Sequence, residues 1–221
     1  MSVKRYSGSD FTDVSTRRRF NGADWVDLSV GRRYDGANWV DLWDNSSGAS
    51  GEVKTYVKTY SISSSANYWG SGSKDGQYPG LLIQGSHGNT LSTTRRAMMI
   101  FNCSQIAKDL NGAEILSVRL RLQRANTAHG TAGAASIYVK THANSSLPAT
   151  WKGADSGNAD SGTPTISRGE TKWISLNKSV AEKLRSGDIK GLALDADSNY
   201  TTAAYIKFNK SATLLEITYK K

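Results

Sequence analysis

The chain is short of the residues that build disulfide scaffolds and most active sites. A single cysteine, Cys103, among 221 residues excludes an intrachain disulfide framework. A lone thiol in such a chain is expected in the core as a small hydrophobe. The three histidines, His87, His129 and His142, form neither a His-Glu-x-x-His pair nor a Cys/His zinc spacing. His87 and His129 fall in Gly/Ser/Thr-rich segments and are expected to be solvated. The sequence lacks a Gly-x-Ser-x-Gly elbow and a Gly-x-x-x-x-Gly-Lys phosphate loop. No stretch of about 18 apolar residues is present, so no membrane-spanning helix is expected. The opening Met-Ser-Val-Lys-Arg-Tyr has no apolar core, so no cleaved secretory signal is expected and synthesis in a cytoplasm is.

Acidic residues are scarce in one part only. Residues 1–44 hold seven Lys/Arg and seven Asp, whereas residues 45–221 hold 21 Lys/Arg and 12 Asp/Glu. The net charge of +9 therefore belongs to the second part. Such a surface attracts nucleic acid, acidic lipid or an anionic polysaccharide, or serves solubility alone. There is no Lys/Arg block and no nucleic-acid motif, so nucleic acid is not expected as a partner.

What is present first is a repeat. Arg19-Phe20-Asn21-Gly22-Ala23-Asp24-Trp25-Val26-Asp27-Leu28 recurs fourteen residues later as Arg33-Tyr34-Asp35-Gly36-Ala37-Asn38-Trp39-Val40-Asp41-Leu42. Arg5-Tyr6-Ser7-Gly8-Ser9-Asp10-Phe11-Thr12-Asp13-Val14 is a third copy, fourteen residues earlier. Each unit reads as a β-hairpin. Asn21-Gly22 and Asp35-Gly36 suit two-residue type I′ turns, which would set Arg19 opposite Asp24 and Arg5 opposite Asp10. A lone two-stranded hairpin is marginal in water. The units therefore form either a small meander or a stack in a symmetric homo-oligomer, and a homotrimer is the expectation. Phe20, Trp25, Val26, Leu28, Tyr34, Trp39, Val40 and Leu42 are its candidate oligomerisation residues.

Asn45-Ser46-Ser47-Gly48-Ala49-Ser50-Gly51 reads as a flexible linker over residues 45–51. Beyond it, residues 52–221 carry strand-like runs: Val53 to Tyr60, Arg95 to Phe101, Ile115 to Leu122, Ala135 to Thr141, Lys172 to Leu176, Gly191 to Asp195, Ala204 to Phe208 and Ala212 to Tyr219. Short strands parted by Gly/Ser/Asn turns predict an all-β sandwich or barrel. Two short helices interrupt it. Ser104 is expected to cap a turn through Lys108, and Asn177 a helix from Lys178 to Arg185 with Val180 and Leu184 inward and Gly187 past its end.

A family resemblance rests on residues spread along this part. They are Asn67-Tyr68-Trp69-Gly70, Leu81-Leu82-Ile83-Gln84-Gly85, Arg95-Arg96-Ala97-Met98-Met99-Ile100-Phe101-Asn102, Asn111-Gly112-Ala113-Glu114-Ile115, Val118-Arg119-Leu120-Arg121-Leu122, Trp173-Ile174-Ser175-Leu176, Gly191-Leu192-Ala193-Leu194 and Leu215-Glu216-Ile217-Thr218-Tyr219. In this order, residues 53–221 resemble the DNRLRE-type carbohydrate-binding domain, a jelly-roll β-sandwich. Asn102 stands where that family commonly has Asp, and no proline precedes the closing strand. The aromatic-x-Gly-x-x-Trp-Val phrase resembles hairpin repeats of bacteriophage tail-fibre and baseplate proteins. The whole order is similar to phage receptor-binding proteins, which are commonly trimeric. The resemblance implies an all-β chain, N-terminal hairpin repeats followed by a jelly-roll head. It also implies a non-enzymatic virion appendage, with a bacterial surface polysaccharide or teichoic acid and other tail or baseplate proteins as partners. Two alternatives stay open: a bacterial carbohydrate-binding module protein, and a virion structural or decoration protein without sugar binding.

Sugars are held by aromatic faces and polar side chains. Tyr68, Trp69, Tyr78, Trp151 and Tyr200 are therefore the candidate carbohydrate-binding residues, each with a core or loop-anchoring role as its alternative. Trp173 is assigned to the core. Lys74, Arg95, Arg96 and Lys152 are candidate contacts to an anionic polymer. Asp195-Ala-Asp197-Ser-Asn199 begins like a calcium loop, but Tyr200 stands where the loop glycine belongs and Ile206 where the bidentate Glu belongs. Asp155 and Asp160 likewise read as turn residues. No catalytic residue, metal or cofactor is expected.

Overall fold

The computed structural model describes residues 53–88, 90–126, 133–154, 159, 162–196 and 205–221 in full, and the backbone pairing of six strands within residues 4–44. The chain divides into two compact units, Met1–Val53 and Lys54–Lys221.

The first unit holds three antiparallel hairpins: β1 (Lys4–Tyr6) with β2 (Phe11–Asp13), β3 (Arg18–Phe20) with β4 (Trp25–Asp27), and β5 (Val30–Tyr34) with β6 (Trp39–Asp44). The register repeats with the sequence. Tyr6, Phe20 and Tyr34 are opposite Phe11, Trp25 and Trp39. Lys4, Arg18 and Arg32 are opposite Asp13, Asp27 and Asp41. This corrects the two-residue turn. Arg19 is opposite Val26, not Asp24, and Arg5 is opposite Thr12, not Asp10. The pairing is displaced by two positions, which keeps the alternation of faces; a shift of one would have inverted it. The observed register sets unlike charges opposite each other in every hairpin, an arrangement that favours pairing. The turn residues and the side chains named for oligomerisation lie outside the described residues.

The second unit is a β-sandwich. One sheet runs in the order β16 (Thr171–Leu176), β12 (Glu114–Gln123), β19 (Leu214–Lys220), β7 (Thr55–Ser61). The other runs β14 (Val139–His142), β17 (Gly191–Leu194), β11 (Thr94–Ile100), β10 (Leu81–Ser86), β18 (Ile206–Asn209), with β8 (Ser64–Trp69) on the other edge of β11 and β9 (Lys74–Asp75) beyond it. All these pairings are antiparallel. The chain passes repeatedly from one sheet to the other, as in a jelly roll. A two-stranded ribbon, β13 (Ala135–Ser136) with β15 (Thr165–Ile166), stands apart.

The period-2 pattern explains the core. On β12, Val118, Leu120 and Leu122 are buried and meet Ile174, Leu176, Leu215 and Ile217 of the neighbouring strands. Facing them from the second sheet are Leu82, Ala97, Met99, Leu192, Leu194 and Phe208. Each fully buried Leu, Ile or Phe contributes about 1.5–3 kcal/mol relative to exposure. The helices α1 (Cys103–Leu110) and α2 (Lys178–Ser186) add Ile106, Leu110, Val180 and Leu184 to the same core.

Three local readings are corrected. Helix α1 begins one residue before Ser104, and Asn102 caps it by accepting from the Gln105 N–H at 3.0 Å. The strand read from Ala135 to Thr141 is broken into β13 and β14. Trp173 is not a core residue. Ile174 and Leu176 turn inward, so Trp173 lies half-buried on the outer face of the sheet, its ring centroid 4.9 Å and 5.8 Å from the guanidinium groups of Arg119 and Arg121. Arg119 is fixed there by Nε and Nη2 donating to Glu216 Oε1 at 3.0 and 2.5 Å.

Candidate functional site

The β8–β9 hairpin and the loop to β10 form one flank of the sandwich unit. Gly72, at φ +98°, turns the hairpin, and Trp69 N–H donates to Ser73 O at 2.9 Å. Asn67 then organises the following loop. Its Nδ2 donates to Leu81 O at 2.9 Å and to Tyr78 O at 3.3 Å, and its Oδ1 accepts from Ile83 N at 3.0 Å. From the other side, Lys210 N donates to Gly80 O at 3.1 Å, because β18 pairs with β10 and delivers the next turn to that spot. Asp75 completes the frame. Its Oδ2 accepts from Arg95 Nε at 2.6 Å and its Oδ1 from Gln77 N at 2.9 Å.

These bonds leave a cleft of about 310 Å³ between β8, β9 and the loop. Tyr78 and Pro79 form one wall, Lys74 and Lys210 supply ammonium groups, and Ser65 lies on β8. The Tyr78 ring is half-buried, with the Lys207 Nζ 4.2 Å from its centroid. Lys207 is only 5% exposed, and its Nζ lies against the rings of Tyr78 and Tyr205. Tyr205 is buried beside His87, and burial, followed by the proximity of Tyr78, raises its phenol above the ordinary value.

A second hollow, of about 500 Å³, lies in the segment 143–152 and is lined by Asn144, Ser145, Ser146, Pro148, Thr150 and Lys152. Four contacts fasten this segment to the first flank. Tyr68 Oη donates to Pro148 O at 2.9 Å, and Trp151 N to Gly72 O at 2.7 Å. Ser73 bridges to Thr150, and Lys74 Nζ donates to Leu147 O at 3.2 Å.

The residues proposed from sequence separate into two groups. Tyr78 and Lys74 line the cleft, and the exposed Lys152 lines the second hollow. Tyr68 does not serve as a sugar platform: it is fully buried, with Trp151 edge-on to it at 5.4 Å. Trp69 is half-buried beneath the Arg95 guanidinium. Arg95 is 3% exposed and committed to Asp75, so it is withdrawn from any polymer. Arg96 is half-buried and paired with Asp195 at 3.0 Å. Tyr68, and Arg96 over the Trp151 ring at 5.6 Å, join segment 143–152 to the sheet. Tyr200 lies outside the described residues, as do Asp155, Asp160, Asp197 and His129.

Sequence reasoning missed Asn67 as a loop organiser, Asp75 as the buried counter-ion, Lys207 as the cation packed on Tyr78, and Lys210 as a cation of the cleft. Asn67 was visible only as part of a motif. Lys207 and Lys210 are distant in sequence from Tyr78, and no local pattern joins them.

The cleft offers ammonium and hydroxyl donors, and Asp75, the carboxylate that lines it, is occupied by Arg95 and the Gln77 amide. Among the described residues no three His, Cys, Asp or Glu side chains converge as a metal would require. No protein-family model matches the chain, and no curated protein matches it.

Proposed function

We propose that the chain is a non-enzymatic receptor-binding appendage of a bacteriophage tail, whose sandwich unit holds a bacterial surface glycan in the Tyr78 cleft. The observation that carries this reading is the cleft itself. A half-exposed aromatic ring stands in a loop fixed by Asn67 and Asp75, with two ammonium groups on the same walls. Ligand sites combine an apolar face with a few placed polar groups, and a preformed loop reduces the ordering cost of binding. Loops on a rigid β-scaffold are the usual carriers of recognition.

The hairpin unit supports the appendage half of the reading. Three copies of one hairpin in one register form a short regular segment ahead of the sandwich unit. Such hairpins gain most from stacking about a symmetry axis, here as a homotrimer that also meets other tail proteins. The phrase they repeat is the one that resembles tail-fibre and baseplate repeats.

Sedimentation of the full chain with purified bacterial walls tests the binding. The expected result is co-sedimentation that Tyr78→Ala reduces at least about tenfold, the size expected for losing one central aromatic contact. Walls from a range of bacteria that never retain the protein would overturn the reading. Release of reducing ends by the protein, abolished by mutating one carboxylate, would overturn its non-enzymatic part.

A further inference from the structure

We infer that the ligand is an extended polyanion rather than a single sugar, running from the Tyr78 cleft across Lys74 into the hollow of segment 143–152 and presenting a charged group to each. This rests on the glycan-binding reading above and specifies its substrate class.

The first argument is the charge inventory. Lys74 and Lys210 line the cleft, and among the described residues Asp75 is the one carboxylate that lines it. Asp75 is consumed by Arg95 at 2.6 Å, with both side chains almost sealed from water. Lys74 and Lys210 are left without a carboxylate partner among the described residues. An anion entering the cleft beside Tyr78 supplies their counter-charge.

The second argument is continuity. Lys74 belongs to the cleft, yet its Nζ donates to Leu147 O. Leu147 lies between Ser146 and Pro148, both of which line the second hollow. An ammonium has three donors, so Lys74 keeps two for a ligand while joining the two depressions. Beyond it, Lys152 gives the second hollow its own cation, among Asn144, Ser145, Ser146 and Thr150. The path therefore alternates cation and neutral polar groups, as a chain with one negative charge per repeat requires. A monosaccharide would fill only the first cleft. The charge is a phosphodiester or a carboxylate, and both satisfy the same lysines.

The experiment uses the full chain on an array of bacterial glycans printed as phosphodiester-linked, uronate-containing and neutral polymers, each at one-repeat and multi-repeat lengths. The expected result is binding to one or both charged classes, which also separates phosphate from carboxylate. Multi-repeat forms should bind at least tenfold tighter than single repeats. Lys152→Gln should remove most of that length advantage, whereas Lys210→Gln should weaken one-repeat and multi-repeat binding alike by about threefold. Equal binding of one-repeat and multi-repeat forms would overturn the extended path. Equal binding of neutral and charged polymers, still sensitive to Tyr78→Ala, would overturn the polyanion and leave the glycan reading standing. A blank array would overturn both.

Discussion

Arg95 on β11 reaches Asp75 on β9 with Nε to Oδ2 at 2.6 Å, where the two side chains are 4% and 0% exposed. The pair joins the short edge strand of the Tyr78 cleft to the centre of the seven-stranded sheet. Asp75→Ala leaves a buried guanidinium with no counter-charge and is expected to cost about 3–5 kcal/mol. Asp75→Leu combined with Arg95→Met should cost clearly less than Asp75→Ala alone, because no charge is left stranded. Urea unfolding of the three variants checks this, and equal losses would show that the charge pair is not the cause.

Gly191 is required by a close approach. A Cβ there would run into Met99 O and meet His142 Nε2 at 2.6 Å, where the imidazole crosses β17 to bond Met99 O at 3.0 Å. Gly191→Ala must displace β11 backbone and is expected to destabilise by about 3 kcal/mol or more. Gly112→Ala, where no atom lies within 4 Å of the added Cβ, meets only the strain of φ +70° and should lose less. Thermal melts of both variants give the comparison.

Alkaline pH should unfold the sandwich unit through its buried phenols. Tyr60, Tyr68, Tyr205 and Tyr219 are all raised above the ordinary value, first by burial, and Tyr60 also by its bond to Asp109 at 3.0 Å. The folded value lies above the unfolded one, so the contribution is complete below about pH 10, the ordinary value for tyrosine. Above that pH the unfolded chain sheds protons that the folded chain keeps, and stability falls. Urea midpoints from pH 8 to 11 should decline, and Tyr60→Phe should flatten the decline while costing about 1 kcal/mol at neutral pH. An unchanged slope in Tyr60→Phe would remove Tyr60 from the account.

Trp173 and Ile174 are neighbours with opposite fates. Ile174→Ala opens the core and is expected to cost about 2–5 kcal/mol. Trp173→Ala removes a half-buried ring between Arg119 and Arg121 and should cost only about 1–2 kcal/mol. A larger loss at Trp173 would mean that the outer face is more tightly covered than its half-burial indicates.

Much of the sandwich was legible because its strands obey the two-residue alternation. Val118, Leu120 and Leu122 are inward for the reason their spacing suggests, and α2 ends at Gly187 with φ +84°, although Asn177 stands at its N-cap without a side-chain capping bond. Trp173 was legible too, since it is out of phase with Ile174 and Leu176; its bulk outweighed its position in the reading. The candidate site was less so. Tyr68 could not be told from a ligand aromatic, because the Pro148 carbonyl that its hydroxyl meets lies eighty residues away in the chain. Lys210 enters the cleft only because β18 pairs with β10. In the hairpins, Asn21-Gly22 and Asp35-Gly36 did not fix the register, which depends on what stands opposite what along the strands.

The central claim is that a charged glycan binds on the Lys74 flank. Backbone amide shifts of the full chain, followed by NMR during titration with teichoic-acid and uronate oligomers, test it most directly. The account predicts that the perturbed amides gather at residues 65–67, 74–81, 143–152 and 210, and that Tyr78→Ala weakens the titration at least about tenfold while leaving the rest of the spectrum in place. Perturbations gathered instead around Trp173, Arg119 and Arg121, or no perturbation by either oligomer, would contradict it.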